Sequence, residues 1–163
     1  MSRRKHTPVH LYTYNMVDEL LASPTEPMPE AKRTLQLSRM WEGLVAMETG
    51  AQPKPIDWRY CSDAVNLLET LVREMHVAED TTGLLQDAIA ALAHAGQRHR
   101  THGTIRLDGP GMRAVRMVLE SYADLIEQLP ARTVVRAHRL TEKRIYALYS
   151  GKRRPHDVEV ISL

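Results

Sequence analysis

Histidine offers the first chance of chemistry in this sequence. His94, His99 and His102 fall within nine residues, around Arg98-His99-Arg100-Thr101-His102. A metal site needs neutral imidazoles converging with a carboxylate or thiolate. Here Arg98 and Arg100 interleave with the histidines, and their charge opposes a bound cation, so the segment reads as a basic helix end. Cys61 lies among Trp58 and Val65 on an acidic helix, whereas a nucleophilic thiol wants an electropositive, partly exposed setting. It reads as a small core residue. Glu79-Asp80 suits the start of a helix, where acids favour the dipole end. Gly109-Pro110-Gly111 lacks the spacing and the Lys-Ser/Thr of a phosphate loop. The expectation is a chain with no catalytic residues, no metal and no cofactor, hence not an enzyme.

The chemistry that remains is charge. Segment 131–155 holds Arg132, Arg136, Arg139, Lys143, Arg144, Lys152, Arg153 and Arg154 against Glu142 alone, although the whole chain carries only +2. Segment 57–80 is acidic, with Asp57, Asp63, Glu69, Glu74, Glu79 and Asp80 against Arg59 and Arg73. Arg3, Arg4 and Lys5 add a basic N-terminus. Such asymmetry favours a polyanionic partner. Lys143, Arg144, Tyr146, Lys152, Arg153, Arg154, Arg3, Arg4 and Lys5 are the candidate nucleic-acid-binding residues. The expected partner is nucleic acid, DNA rather than RNA, or a host nucleoprotein complex. A homodimer is one assembly compatible with the pattern, and no membrane partner is expected.

The elements that must position these residues are helical. Of 163 residues, 43% are hydrophobic, yet Phe is absent. The apolar volume falls to Leu, Val, Met, Trp and Tyr, and long unbranched side chains lose little freedom in helices. The single cysteine excludes an internal disulfide and suits a reducing compartment. The basic start has no apolar run behind it, and nothing approaches the roughly 18 apolar residues of a membrane span. A cytoplasmic location is expected.

The fold class expected is all-α, a bundle of about five helices with an N-terminal arm. Residues 1–29 form a basic, Pro-rich arm, with room for a short helix near Tyr14–Ala22. Residues 30–129 form the bundle. Its first helix runs from about Glu30 to Glu48, and its second from an Asp57 N-cap to about Val77. The third opens at Glu79–Thr82 and ends near Gly96–Arg100, its small residues permitting close approach of a neighbour. Thr101–Leu107 alternates polar and apolar residues as a short extended piece would. A fourth helix follows Asp108-Gly109-Pro110. Residues 130–163 form a basic helical segment.

Within that segment Val134, Leu140, Thr141, Ile145, Leu148, Gly151 and Pro155 are spaced as in the helix-turn-helix of phage-repressor type, which the stretch resembles. The resemblance implies that Thr141 caps a recognition helix and that Glu142, Lys143, Arg144 and Tyr146 project to the major groove. Lys152, Arg153 and Arg154 would then meet phosphates. Arg139 stands where that family has its turn glycine. The alternative is one unbroken helix, since Val134, His138, Thr141, Ile145 and Leu148 also share a face. The opening Met1–Pro8, the stretch Trp58…Asp63-Ala64-Val65-Asn66 and the end Gly151–Val160 resemble uncharacterised proteins carried by phages and plasmids of proteobacteria. That resemblance implies a mobile-element accessory protein and carries over no functional residue. The functions expected are nucleic-acid binding or regulation, or else non-enzymatic inhibition or adaptation of a host complex, directed at defence or polymerase.

Overall fold

The computed structural model describes residues 13–50 and 52–150. Arg3, Arg4, Lys5, Lys152, Arg153 and Arg154 lie outside the described residues. The described chain is all-helical, with six α-helices in the order α1 (Met16–Leu21), α2 (Glu30–Thr49), α3 (Pro55–Glu69), α4 (Leu84–His102), α5 (Gly109–Gln128) and α6 (Ala131–Tyr149). One π-helical turn, Thr70–Glu74, continues α3. No strand forms among the described residues, and no described helix is long and apolar enough to cross a membrane.

Helices α2 to α5 make the bundle, and α3 runs through its middle, touching α2, α4, α5 and α6. Met40, Leu44, Trp58, Val65, Leu68, Ile89, Leu92, Val115, Leu119 and Ile126 form its core. Each fully buried side chain of this size contributes roughly 1.5–3 kcal/mol relative to exposure. The Trp58 indole N–H, which burial would otherwise leave unsatisfied, donates to Leu92 O at 2.8 Å. Gly111 lets α5 close on α4, since a Cβ there would stand 2.8 Å from the Ala91 Cβ. The small residues of α4 do permit the close approach their sizes suggest.

Four helix boundaries differ from the sequence expectation. Pro55 starts α3 two residues before Asp57, because its missing N–H is no loss in a first turn. Asp57 caps from inside the helix, accepting from Lys54 N at 2.8 Å. The α-helix stops at Glu69, not near Val77, and the widened π turn takes over to Glu74. Helix α4 begins at Leu84, after Gly83 in the left-handed region at φ 74. Asp80 and Thr82 reach forward to accept from Leu85 N at 3.2 Å and Leu84 N at 3.4 Å. Helix α4 runs on through Thr101 and His102, so of the expected extended piece 101–107 only residues 103–107 lie outside a helix, and Ile105 among them is buried in the core.

Segment 13–29 docks on α6. Pro130 precedes α6 and offers no side-chain cap, which leaves first-turn amides in need of acceptors. The arm supplies them, as Ala131 N donates to Glu26 O at 2.8 Å and Arg132 N donates to Ser23 O at 2.9 Å. Met28 packs with Ala131, Val134 and Val135 in a second, smaller core beside Tyr14, Ala22 and Leu129.

Candidate nucleic-acid interface and an adjoining polar cleft

Helix α6 is continuous from Ala131 to Tyr149, with no turn at residues 138–141. Thr141 sits mid-helix, donating to Ala137 O at 2.8 Å and meeting Thr70 Oγ1 at 2.7 Å. The unbroken helix is therefore the arrangement present, and its side chains divide by face at the helical period. Val134, Val135, Ala137, Thr141 and Ile145 turn inward. Arg132, Arg136, Arg139, Lys143 and Tyr146, spaced four and three residues apart, lie along the outward stripe. Arg136 and Lys143 are exposed, and Tyr146 keeps 70% of its surface open.

Arg144 belongs to the other face. The projection into solvent expected of a recognition-helix residue is not what the structure has: Arg144 is only 5% exposed. Its Nη1 donates to Thr70 Oγ1 at 2.7 Å, its Nη2 lies 2.7 Å from Glu69 Oε2, and its Nε lies 3.0 Å from Glu74 Oε1. Glu69 also accepts from Arg73 Nη1 at 2.8 Å. The π turn assembles this cluster, because its i→i+5 closure brings Glu74 round to the side of Glu69. A buried guanidinium needs such partners, since an uncompensated charge there costs several kcal/mol. Glu142 is half-buried, and desolvation pushes its carboxyl above the usual range while Arg139 opposes the shift.

A cleft of ≈ 50 Å³ opens where α2, α3, α5 and α6 meet, lined by Gln36, Arg39, Tyr60, Asp63, Tyr122, His138 and Thr141 over Met40, Ala64 and Leu67. The Gln36 amide donates to the buried Tyr122 hydroxyl at 2.5 Å and lies 3.3 Å from His138 Nε2. Arg39 donates to the Tyr60 hydroxyl at 2.9 Å. Desolvation pushes the Asp63 carboxyl up to about 7, with Arg59 pulling the other way. Sequence reading missed this cleft, because its members come from four helices and none stands in a motif. Asp63, set between Cys61 and the apolar pair Ala64-Val65, was the one signal.

The remaining candidates lie apart. Cys61 is fully buried, and burial, reinforced by Asp57, Glu48 and Asp63, pushes its thiol up to about 12. It stays protonated and donates weakly to Met40 O at 4.0 Å. His94 and His102 are exposed and His99 is half-buried on the last turns of α4. Among the described residues no three His, Cys, Asp or Glu side chains converge as a metal site. In comparison with known proteins, no family model, no curated protein and no solved structure matches this chain.

Proposed function

We propose that this protein is a non-enzymatic nucleic-acid-binding accessory of a mobile element, gripping duplex DNA by its backbone through the outward face of α6. The observation that carries the reading is the single-face stripe of Arg132, Arg136, Arg139, Lys143 and Tyr146, with Arg136, Lys143 and Tyr146 open to solvent. An unbroken helix whose inner face is packed presents cations in a row, which suits phosphates. In sequence the row runs on toward Lys152, Arg153 and Arg154, and Arg3, Arg4 and Lys5 supply a second basic cluster. Arg144 drops out of the binding set, since it neutralises Glu69. Recognition by charge makes affinity fall with salt, because each phosphate contact releases a counterion.

The test is duplex-DNA binding across a salt series. A double R136A/K143A variant should weaken binding to all sequences alike and flatten the slope of log affinity against log salt by about two. No binding at low salt, or a slope that this variant leaves unchanged, overturns the proposal. A second reading, a protein-binding inhibitor or adaptor, is favoured by the apolar residues that α1 exposes. Partners retained from host lysate after nuclease treatment would support it, and partners lost with nuclease would favour the first.

A further inference from the structure

Helix α1 is amphipathic the wrong way round. Met16, Val17, Leu20 and Leu21 face solvent at 54, 59, 65 and 81% exposure, and they make up four of the eight exposed large hydrophobic residues described. Asp18 and Glu19 are half-buried, Asp18 accepting from Asn15 N at 2.7 Å in the helix's own capping box, and no residue of α1 is fully buried. What holds α1 to α6 is polar. Glu19 pairs with Arg139, Arg132 Nη2 donates to Leu20 O at 3.0 Å, and Arg132 Nε donates to Ala22 O at 3.2 Å. Both arginines belong to the basic stripe, and they bracket Arg136.

The geometry points to α1 as an acidic clasp that competes with nucleic acid for Arg132 and Arg139. This rests on the nucleic-acid reading of α6. The Glu19 carboxylate holds Arg139 as a phosphate would, with anionic oxygen on a guanidinium. No side chain of α1 itself is buried, and six residues are too few to hold a helix unaided, so the apolar contact that lifting gives up is that of Tyr14, which packs on the smaller core and 5.3 Å from the His138 ring. The chain just behind stays anchored, since Ser23 and Glu26 cap α6 and Met28 fills the smaller core. Ala22 and Ser23 thus separate a releasable helix from a fixed strap. With the clasp closed the stripe offers Arg136 and Lys143, and with it open Arg132 and Arg139 join them.

The test uses the full chain and duplex DNA over a salt series, comparing the parent with E19Q and E26Q. Glu26 is exposed, so E26Q removes the same charge from outside the clasp. E19Q releases Arg139 while the Leu20 and Ala22 carbonyls still hold Arg132, so it should bind about threefold tighter at low salt and steepen the salt slope by about one, as one phosphate contact by Arg139 requires. E26Q should leave the slope unchanged, and adding R139A should cancel the effect of E19Q. If E19Q and E26Q bind alike, the clasp is overturned while DNA binding by α6 stands. If parent and variants all fail to bind at low salt, the nucleic-acid reading itself is lost, and the clasp with it.

Discussion

Arg144 and Asp63 carry charge into the packed region by opposite routes. Arg144 is enclosed by opposite charge and a hydroxyl, from Glu69, Glu74 and Thr70. Asp63 has no such enclosure, and burial holds its carboxyl near 7, so it keeps a proton that the unfolded chain loses near its ordinary 3.8. Between those two values the folded state binds more protons than the unfolded one. Stability therefore falls as pH rises from about 4 through about 7. The full displacement would amount to about 4 kcal/mol, and partial exposure through the cleft trims this to on the order of 2 kcal/mol. D63N should lose this slope, so melting temperatures recorded from pH 5 to pH 8 should decline more in the parent than in the variant. Equal declines would mean that Asp63 is already ionised when folded. Neither residue was legible as a buried charge. Arg144 lies within a run of cations that reads as surface, and only the facing acids of segment 57–80 hinted that the two segments partly neutralise each other.

Elements were read more securely than boundaries, because periodicity reports a buried face whereas ends depend on single side chains. Of the stripes expected to build the core, through Trp41, Val65, Ile89 and Leu119, the last three supply buried core residues and Trp41 packs against them partly buried. The π turn at Thr70–Glu74 left no such mark, since the feature that favours it, Glu69 and Thr70 engaging α6, joins residues some 70 positions apart. On α6, the helix-turn-helix spacing and a continuous amphipathic helix place the same apolar residues inward, so pattern alone leaves both open. Close helix approach was easier to read, and it can be probed. Gly111 faces Ala91 in α4, and its amide donates to the Asp108 cap at 2.7 Å. A G111V substitution would press branched carbons against both. We expect a loss of about 1–3 kcal/mol, typical of overpacking, read by urea unfolding. An unchanged midpoint would mean that α4 and α5 are not in contact at this point.

At the scale of the molecule, stability is graded outward from α3. That helix is buried along most of its length and touches four others. Helix α6 is tied to it by Arg144–Glu69 and Thr70–Thr141, so α6 cannot lift without stranding buried charge. At the other end α6 shares the smaller core with Met28 and the strap behind it. Among the described helices only α1 supplies no residue to either core, its apolar side facing water, while Tyr14 before it and Ala22 after it pack against the smaller core. Local opening free energies follow buried contact and hydrogen-bond exposure. Native-state hydrogen exchange should therefore find the amides of Met16–Leu21 close to unprotected. Those of α3 and α5 should approach the global unfolding limit, and those of α6 should follow them. The ranking also separates two accounts of α1. A clasp that yields its arginines to another anion must open far more often than the bundle unfolds, whereas an integral element would exchange with the core. Amides in α1 as slow as those in α3 would show that its contacts hold it fast, and Arg132 and Arg139 would then be closed to any other partner.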